Sequence, residues 1–189
     1  AIDFVRHAES VRNCARKFLK RHGTLPLAAS LRKHRDNSTA PLSLSGVRQC
    51  QALELEAASR YRGLRVLVVH SPFRRTVETA RAIARGARAG PAAAVRMVGY
   101  DGVAEHRLAF RKALAWIKRE ARGFDRVVVV SHSMTIKCMR RDPWHAVPNG
   151  VVKTGSSATL GPDLPAPPVA RTVPGTRGAE LLLAAMTDG

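Results

Sequence analysis

The apolar residues of this chain fall into short runs separated by longer periodic segments. Three runs, at 2–5, 65–70 and 127–130, are made mainly of Val, Leu, Ile and Phe and have the length of strands. Because the two later runs are apolar on both faces, we expect a parallel sheet that helices cover on both sides. The pattern predicts an α/β fold with a doubly wound, mostly parallel sheet flanked by helices.

The segments between these strands have the spacing of helices. We expect helices from near Ser10, over 44–61, over 73–85, over 107–122 and from near Met134. Ser45 is placed to cap the second of them. Gly86 and Gly123 are placed to end the third and the fourth.

The length of 189 residues fits one domain with a sizeable core, which we expect to occupy 1–160. Within it, 14–41 is predicted to be a basic insertion, whose positive charges fall in 14–35 before the first acid, Asp36. Residues 161–189 are predicted to be a tail rich in Pro and Gly with a short terminal helix.

The charge of the chain is strongly unbalanced, with 32 Lys and Arg against 14 Asp and Glu and a net charge of +18. Such a balance indicates partners such as RNA, a large complex or another polyanion. Composition bias is the alternative, because Arg greatly outnumbers Lys and Ala is abundant. The sequence leaves both readings open.

The three cysteines are scattered, without the CxxC spacing of a zinc site, and their odd number does not suit a disulfide framework. We therefore expect an intracellular, reducing compartment, either the cytoplasm or the mitochondrial matrix with a leader removed before Ala1. No apolar run reaches transmembrane length.

Basic residues follow each of the three predicted strands. Arg6 and His7 come after the first, Arg74 and Arg75 shortly after the second, and His132 after the third. The carboxyl ends of parallel strands share one edge of the sheet, where ligands bind and where helix N-termini attract anions. This set suits a phosphoryl group.

The residue types fit a phosphoryl transfer that requires no metal or cofactor. A neutral imidazole can attack phosphorus and carry it as phosphohistidine, which divides one displacement into two. Arginines present paired donors to the phosphoryl oxygens and stabilise the charge of the transition state. A second histidine can contact the same oxygens, while a carboxylic acid protonates the leaving oxygen.

Five segments, in order, resemble motifs of the histidine phosphatase superfamily, which includes the phosphoglycerate mutases. They are 6–10 (Arg-His-Ala-Glu-Ser, where the family has Arg-His-Gly), 41–50, 71–80, 103–106 and 128–132. The resemblance spans about residues 2–140 and implies a phosphoglycerate mutase-like fold. The chain departs from the pattern at Ala8 and at Ser133-Met134, which stand where the family usually has glycines.

The resemblance implies a role for each matching residue. His7 would be the nucleophile, Arg6 and Arg74 the phosphate clamps, and His132 a second contact to the phosphoryl oxygens. Because the third motif is one residue short, Arg75 could take the place of Arg74. Glu105 would be the proton donor, although Asp101 and His106 compete with it. Asn13 and Ser10 are candidates for lining the phosphate site, and capping a helix is the alternative for Ser10.

Two functions follow from these features. The favoured one is a metal-independent phosphomonoesterase that acts through phosphohistidine on a phosphorylated small molecule or a phosphoprotein. The alternative is a structural subunit of a large complex, such as a mitochondrial ribonucleoprotein, that uses the basic surface, with the phosphatase pocket either retained or vestigial. Sequence-specific RNA recognition is not indicated, because no motif with stacking aromatic residues is present.

Overall fold

A five-stranded sheet lies at the centre of the protein. The structure, a computed structural model, describes residues 1–22, 37–90, 92–104, 110–140 and 152–155. The strands are β1 (Ile2–Arg6), β2 (Arg65–His70), β3 (Ala94–Gly99), β4 (Arg126–Ser131) and β5 (Val152–Gly155). Their order is β3-β2-β4-β1-β5. The first four are parallel and β5 is antiparallel to β1, which confirms the predicted mostly parallel sheet.

Helices cover both faces of this sheet. They are α1 (Val11–His22), α2 (Leu44–Arg60), α3 (Arg74–Ala89), α4 (Phe110–Glu120) and α5 (Ser133–Arg140), with a short 3-10 helix at Asp101–Val103. Leu53 of α2 and Ile83 of α3 pack against one face. Ile117 of α4 and Ile136 of α5 pack against the other. The two cores make the three-layer arrangement that the sequence predicts.

The central strands are buried because each face meets a helical layer. Along β4, Val127 and Val129 belong to the core under α4 and α5, whereas Val128 and Val130 belong to the core under α2 and α3. The uninterrupted valines of this strand therefore reflect burial on both sides.

The cap of α2 is Ser43 and not Ser45, which corrects the sequence prediction. Ser43 has an extended backbone, and its Oγ accepts a hydrogen bond of 3.0 Å from the backbone N–H of Gly46. Ser45 therefore lies within the first turn of the helix. The geometry is that of a serine cap, whose hydroxyl reaches the N–H three residues on.

Helix α3 continues past Gly86 to Ala89, so the predicted end at Gly86 is wrong. A Cβ added to Gly86 would lie 1.9 Å from the backbone oxygen of Glu54 in α2. The glycine is therefore a point of close helix contact rather than a stop signal. Gly90 ends the helix in an extended conformation, which the residue before a proline favours.

The remaining elements agree with the prediction in part. The structure places α4 over Phe110–Glu120, and Gly123 follows it with a φ of +84°, a left-handed conformation that favours glycine. Strand β3 was not predicted, because Arg96 interrupts its apolar residues and it has no run as long as those of the central strands.

Several predictions fall on residues outside the described part of the chain. These are half of the basic insertion, at 23–36, the first residues of the helix predicted over 107–122, the tail 161–189 and its terminal helix. The division into 1–160 and 161–189 stays a prediction. Among the helices that are described, none has both the length and the apolar composition needed to cross a membrane.

The contact at Gly86 yields a prediction about stability. Gly86→Ala should lower the free energy of unfolding by about 2 kcal/mol, because the new methyl group would overlap the backbone of α2. The change would act against the gain of about 1 kcal/mol that alanine brings to an open helical position. Urea denaturation monitored by circular dichroism measures the difference.

Ser59→Ala, at an exposed site on α2, is the control and should change stability by no more than about 0.5 kcal/mol. A Gly86→Ala protein as stable as the wild type would contradict the close contact of the two helices.

Candidate active site

Three strand ends meet at the carboxyl edge of the sheet, because β2, β4 and β1 are neighbours. His7 follows β1, Ser71 follows β2 and His132 follows β4. The backbone N–H of His7 donates to the oxygen of Ser131 at 2.9 Å, and that of Ser71 donates to the oxygen of Val130 at 3.2 Å. The sheet ladder thus continues one residue beyond the strands and fixes this edge.

Arg75, in the first turn of α3, lies between the two histidines. Its Nε donates to Nε2 of His7 at 3.1 Å and its Nη2 donates to Nδ1 of His132 at 3.2 Å. Its Nη1 donates to the side-chain oxygen of Asn37 at 3.3 Å and also to that residue's backbone oxygen. We call His7, Arg75 and His132 the histidine cluster. All three are almost fully buried, with exposed fractions of 3% for His7, 3% for Arg75 and 1% for His132.

These contacts determine which imidazole nitrogens carry protons. Nδ1 of His7 lies 2.7 Å from the backbone oxygen of Ala8, which can only accept, so Nδ1 carries the proton. Nε2 of His7 then presents a lone pair toward Arg75. In His132, Nδ1 accepts from Arg75, so Nε2 carries the proton and donates to the Oγ of Ser71 at 3.0 Å.

The surroundings of His7 keep its imidazole neutral. Burial and the positive charges of Arg75 and Arg6 lower its pKa from 6.5 to about 3, although the hydrogen bond to Ala8 acts in the opposite direction. A neutral ring with a lone pair on Nε2 is a nucleophile at any pH near neutrality.

The loop after His7 is tied to two helices. The N–H of Ala8 donates to Oγ1 of Thr79 in α3 at 3.0 Å, and Thr79 in turn donates to the backbone oxygen of Arg75 at 2.7 Å. The N–H of Glu9 donates to the side-chain oxygen of Gln49 in α2 at 2.8 Å. The backbone on which His7 is carried is therefore fixed by side chains distant in sequence.

The buried carboxylate of Glu9 anchors the same loop. It accepts hydrogen bonds from Oγ of Ser43 and Sγ of Cys14, both at 3.1 Å, and forms an ion pair with Lys17. Burial alone would raise the pKa of Glu9, but these donors, Lys17 first, hold it below its usual value. Glu9 is thus an ionised group whose hydrogen bonds and ion pair hold the loop in place.

Ser10 and Asn13 bond to each other at the start of α1. Oδ1 of Asn13 accepts from the N–H of Ser10 at 3.1 Å and from its Oγ at 2.9 Å. The N–H of Asn13 donates to Oγ of Ser10 at 3.4 Å. This reciprocal pairing is that of a capping box, so the structure favours the helix-cap alternative for Ser10.

Arg74, the residue we expected as the second phosphate clamp, lies outside the cluster. Its side chain is 56% exposed and pairs with Glu78 one helical turn on. Arg75 occupies the position between the histidines instead. Consecutive helical residues point about 100° apart, so only one of the two arginines can face the sheet edge.

Of the other predicted site residues, some lie beside His7 and some do not. Arg6 ends β1 beside His7, and its charge contributes to the lowered pKa of that histidine. Glu105 and His106 lie outside the described residues, and Asp101 is exposed in the 3-10 helix. Met134, which replaces a family glycine, is 59% exposed and so is not buried in the pocket.

Sequence reasoning gave no role to four residues that shape the cluster: Ser71, Phe73, Thr79 and Asn37. Three of them lie in the motif at 71–80, so their position in that motif was the available signal. The ring of Phe73 packs edge-on against His132, with centroids 4.9 Å apart, and lies 5.0 Å from the guanidinium carbon of Arg75. Asn37 carries no sequence signal, because it comes to Arg75 only through the fold.

The buried thiols are not reactive groups. Burial raises the pKa of both Cys14 and Cys50 to about 11, so both remain protonated near neutral pH, which suits the hydrogen bond that Cys14 donates to Glu9. The described part of the chain contains no cluster of three or more His, Cys, Asp or Glu side chains that could hold a metal ion.

Three of the solved structures with the same fold are described as phosphatases. An ecdysone phosphate phosphatase from Bombix mori, in complex with tungstate, is 17% identical with a TM-score of 0.54 and covers 96% of this chain and 98% of its own. The protein histidine phosphatase SixA, complexed with tungstate, is 16% identical with a TM-score of 0.51, over 80% and 84%. A mycobacterial glucosyl-3-phosphoglycerate phosphatase with bound VO3 is 15% identical with a TM-score of 0.51, over 80% and 88%.

At these identities, the solved structures establish the fold alone. A search of curated proteins found no significant match. The sequence itself matches a family over residues 2–101, more than half of the chain. That stretch includes His7, the loop that follows it, and Arg75. The family is branch 1 of the histidine phosphatase superfamily, to which this chain belongs.

Proposed function

We propose that this protein is a metal-independent phosphomonoesterase that acts through a phosphohistidine formed on His7. One observation carries the proposal: a neutral imidazole presents the lone pair of Nε2 to a buried arginine that also bonds to a second histidine. The family supports phosphatase chemistry in general. The tungstate in two of the similar structures is an oxyanion of the same shape as phosphate.

The first chemical step is the attack of His7 on phosphorus. Nε2 forms a P–N bond while the bond from phosphorus to the leaving oxygen breaks. The donors of Arg75 that now hold the imidazole nitrogens would turn to two phosphoryl oxygens, where a planar guanidinium binds in a bidentate manner. Arg6 adds positive charge beside the nucleophile, and His132 lies against Arg75 at the opposite wall.

The second step is hydrolysis of the phosphohistidine. Water attacks phosphorus, the P–N bond breaks, and Nε2 recovers its lone pair as inorganic phosphate leaves. Nδ1 stays bonded to the oxygen of Ala8 throughout, so the ring does not rotate between the two steps. We assign Glu105 to protonate the leaving oxygen in the first step and to accept the proton of water in the second.

The alternative function, a structural subunit that contacts RNA or other proteins, finds no support among the comparisons. Its motive is the charge of +18, which phosphatase chemistry does not require. It stays a prediction, and the salt dependence of RNA binding tests it, because phosphate contacts weaken steeply as salt rises.

The covalent step can be tested directly. His7→Asn should lower the turnover of p-nitrophenyl phosphate by about 1,000-fold or more, because it removes the atom that forms the intermediate. After rapid quenching, the wild type should carry an acid-labile, base-stable phosphoryl group on a peptide that contains His7. Full turnover by His7→Asn, or no turnover of a broad phosphomonoester panel by the wild type, would refute the proposal.

The assignment of Arg75 over Arg74 is a second test. Arg75→Gln should lower kcat/KM for p-nitrophenyl phosphate by about 100- to 1,000-fold, as expected when preorganised donors to the transition state are lost. Arg74→Gln is the matched variant, with the same change one residue earlier. The loss at Arg75 should exceed the loss at Arg74 by at least about 30-fold. Equal losses in the two variants would contradict the assignment of Arg75 as the arginine that binds the phosphoryl group.

The lowered pKa of His7 predicts a dependence of stability on pH. Since the pKa is 6.5 in the unfolded chain and about 3 when folded, the unfolded state binds one more proton between these values. Protonation of His7 in the unfolded chain therefore lowers the free energy of unfolding as pH falls below 6.5. At pH 5, the wild type should have lost about 2 kcal/mol relative to His7→Asn, which cannot titrate.

Urea denaturation of both proteins at pH 7 and pH 5 measures this difference, and groups other than His7 cancel in the comparison. A difference that does not change with pH would show that His7 titrates normally in the folded protein.

A further inference from the structure

A groove of about 420 Å³ lies beside the active site, on the face of α3 that Arg75 does not share. Its lining residues are Pro41, Leu42, Val47, Cys50, Arg74, Glu78, Arg81 and Arg85. None of them belongs to the histidine cluster. The groove begins at Arg74, the chain neighbour of the arginine that bonds to the two histidines, so the Arg74 end of the groove is the end close to the phosphoryl site.

One wall of the groove is a charged stripe along α3. Arg74, Glu78, Arg81 and Arg85 are spaced four, three and four residues apart, which places them on one face of a helix. From Arg74 to Arg85 the stripe is about 16 Å long at 1.5 Å per residue. This matches about five residues of an extended peptide.

Two of the three arginines of this stripe form ion pairs within the protein, and the third, Arg81, is available to a ligand. Arg74 pairs with Glu78 at 2.8 Å, and Arg85 pairs with Glu54 of α2 at 2.7 Å. Arg81 lies between them and is exposed, and no acidic side chain in the described part of the chain pairs with it. Its guanidinium can therefore donate hydrogen bonds to a carboxylate of a ligand without displacing an acidic side chain of the described residues.

The opposite wall is apolar and well defined. It is formed by Leu42, by Val47, which is 45% exposed, and by the buried Cys50. The backbone N–H of Leu42 donates to Oε2 of Glu78 at 3.2 Å, so a hydrogen bond joins the two walls. A groove with one cationic and one apolar wall fits a ligand that carries both kinds of group.

We infer that this groove binds an extended acidic segment of a phosphoprotein substrate, next to the phosphorylated residue that enters the His7 site. A peptide offers carboxylates to Arg81 and apolar side chains to Leu42 and Val47 at once. A single-stranded nucleic acid would use aromatic side chains to stack its bases, and none of the described residues that line the groove is aromatic. The inference rests on the proposed phosphatase function for the role of the groove in catalysis.

The test uses two phosphotyrosine peptides that differ only in flanking Glu or Gln residues. Their affinities are measured by fluorescence anisotropy, and kcat/KM is measured for both and for p-nitrophenyl phosphate. The acidic peptide should bind about tenfold more tightly to the wild type. Arg81→Gln should reduce this preference by about 3- to 10-fold.

Arg122→Gln is the matched control, because it removes the same charge from an exposed position just after α4, outside the groove. It should leave the preference between the two peptides as it is in the wild type. An equal fall in both variants would mean that net charge alone attracts the peptide, and the inference would be overturned. The absence of any preference in the wild type would also overturn it.

Two further outcomes separate the alternatives. In the first, a single-stranded oligonucleotide of the same charge binds more tightly than the acidic peptide, and its binding depends on Arg81. This result would overturn the inference of a peptide and identify the ligand of the groove as a nucleic acid. If neither the peptides nor p-nitrophenyl phosphate is hydrolysed although the peptide preference depends on Arg81, the proposed function fails. The groove would then be a binding site without a part in catalysis.

Discussion

The geometry of the site depends on the buried guanidinium of Arg75. It is 3% exposed, and it donates hydrogen bonds to Nε2 of His7, to Nδ1 of His132 and to the oxygens of Asn37. Burying a cation costs desolvation energy, which these hydrogen bonds help to offset. The orientation of His7 and His132 and the attraction of the site for an oxyanion depend on this guanidinium, and its charge adds to the effect of burial in lowering the pKa of His7.

The positions of the two histidines could be predicted from the sequence because strand ends carry strong signals. An apolar run that stops at Arg6-His7 and another that stops at Ser131-His132 show where the sheet ends. In parallel strands, these ends lie at a common edge. The fold class and the approximate site therefore follow from the chain alone, before any contact between side chains is known.

The choice between Arg74 and Arg75 could not be made in this way. The two residues are neighbours at the start of one helix, and their roles are set by its rotation against the sheet. That rotation depends on the packing of α3 against α2, including the contact at Gly86, which sequence reasoning took for a helix end. The contacts of Asn37 and Thr79 are likewise tertiary, joining segments that no periodicity relates.

The anchoring of the loop at Glu9 has a consequence for the thermodynamics of ligand binding. Hydrogen bonds from Ser43 and Cys14, the ion pair with Lys17 and the bond to Gln49 restrict the backbone beside His7 in the folded protein. The conformational entropy of this loop is therefore lost when the chain folds and not when a phosphate arrives. Nearly all the interaction energy between the loop and its ligand then remains available for affinity and for the transition state.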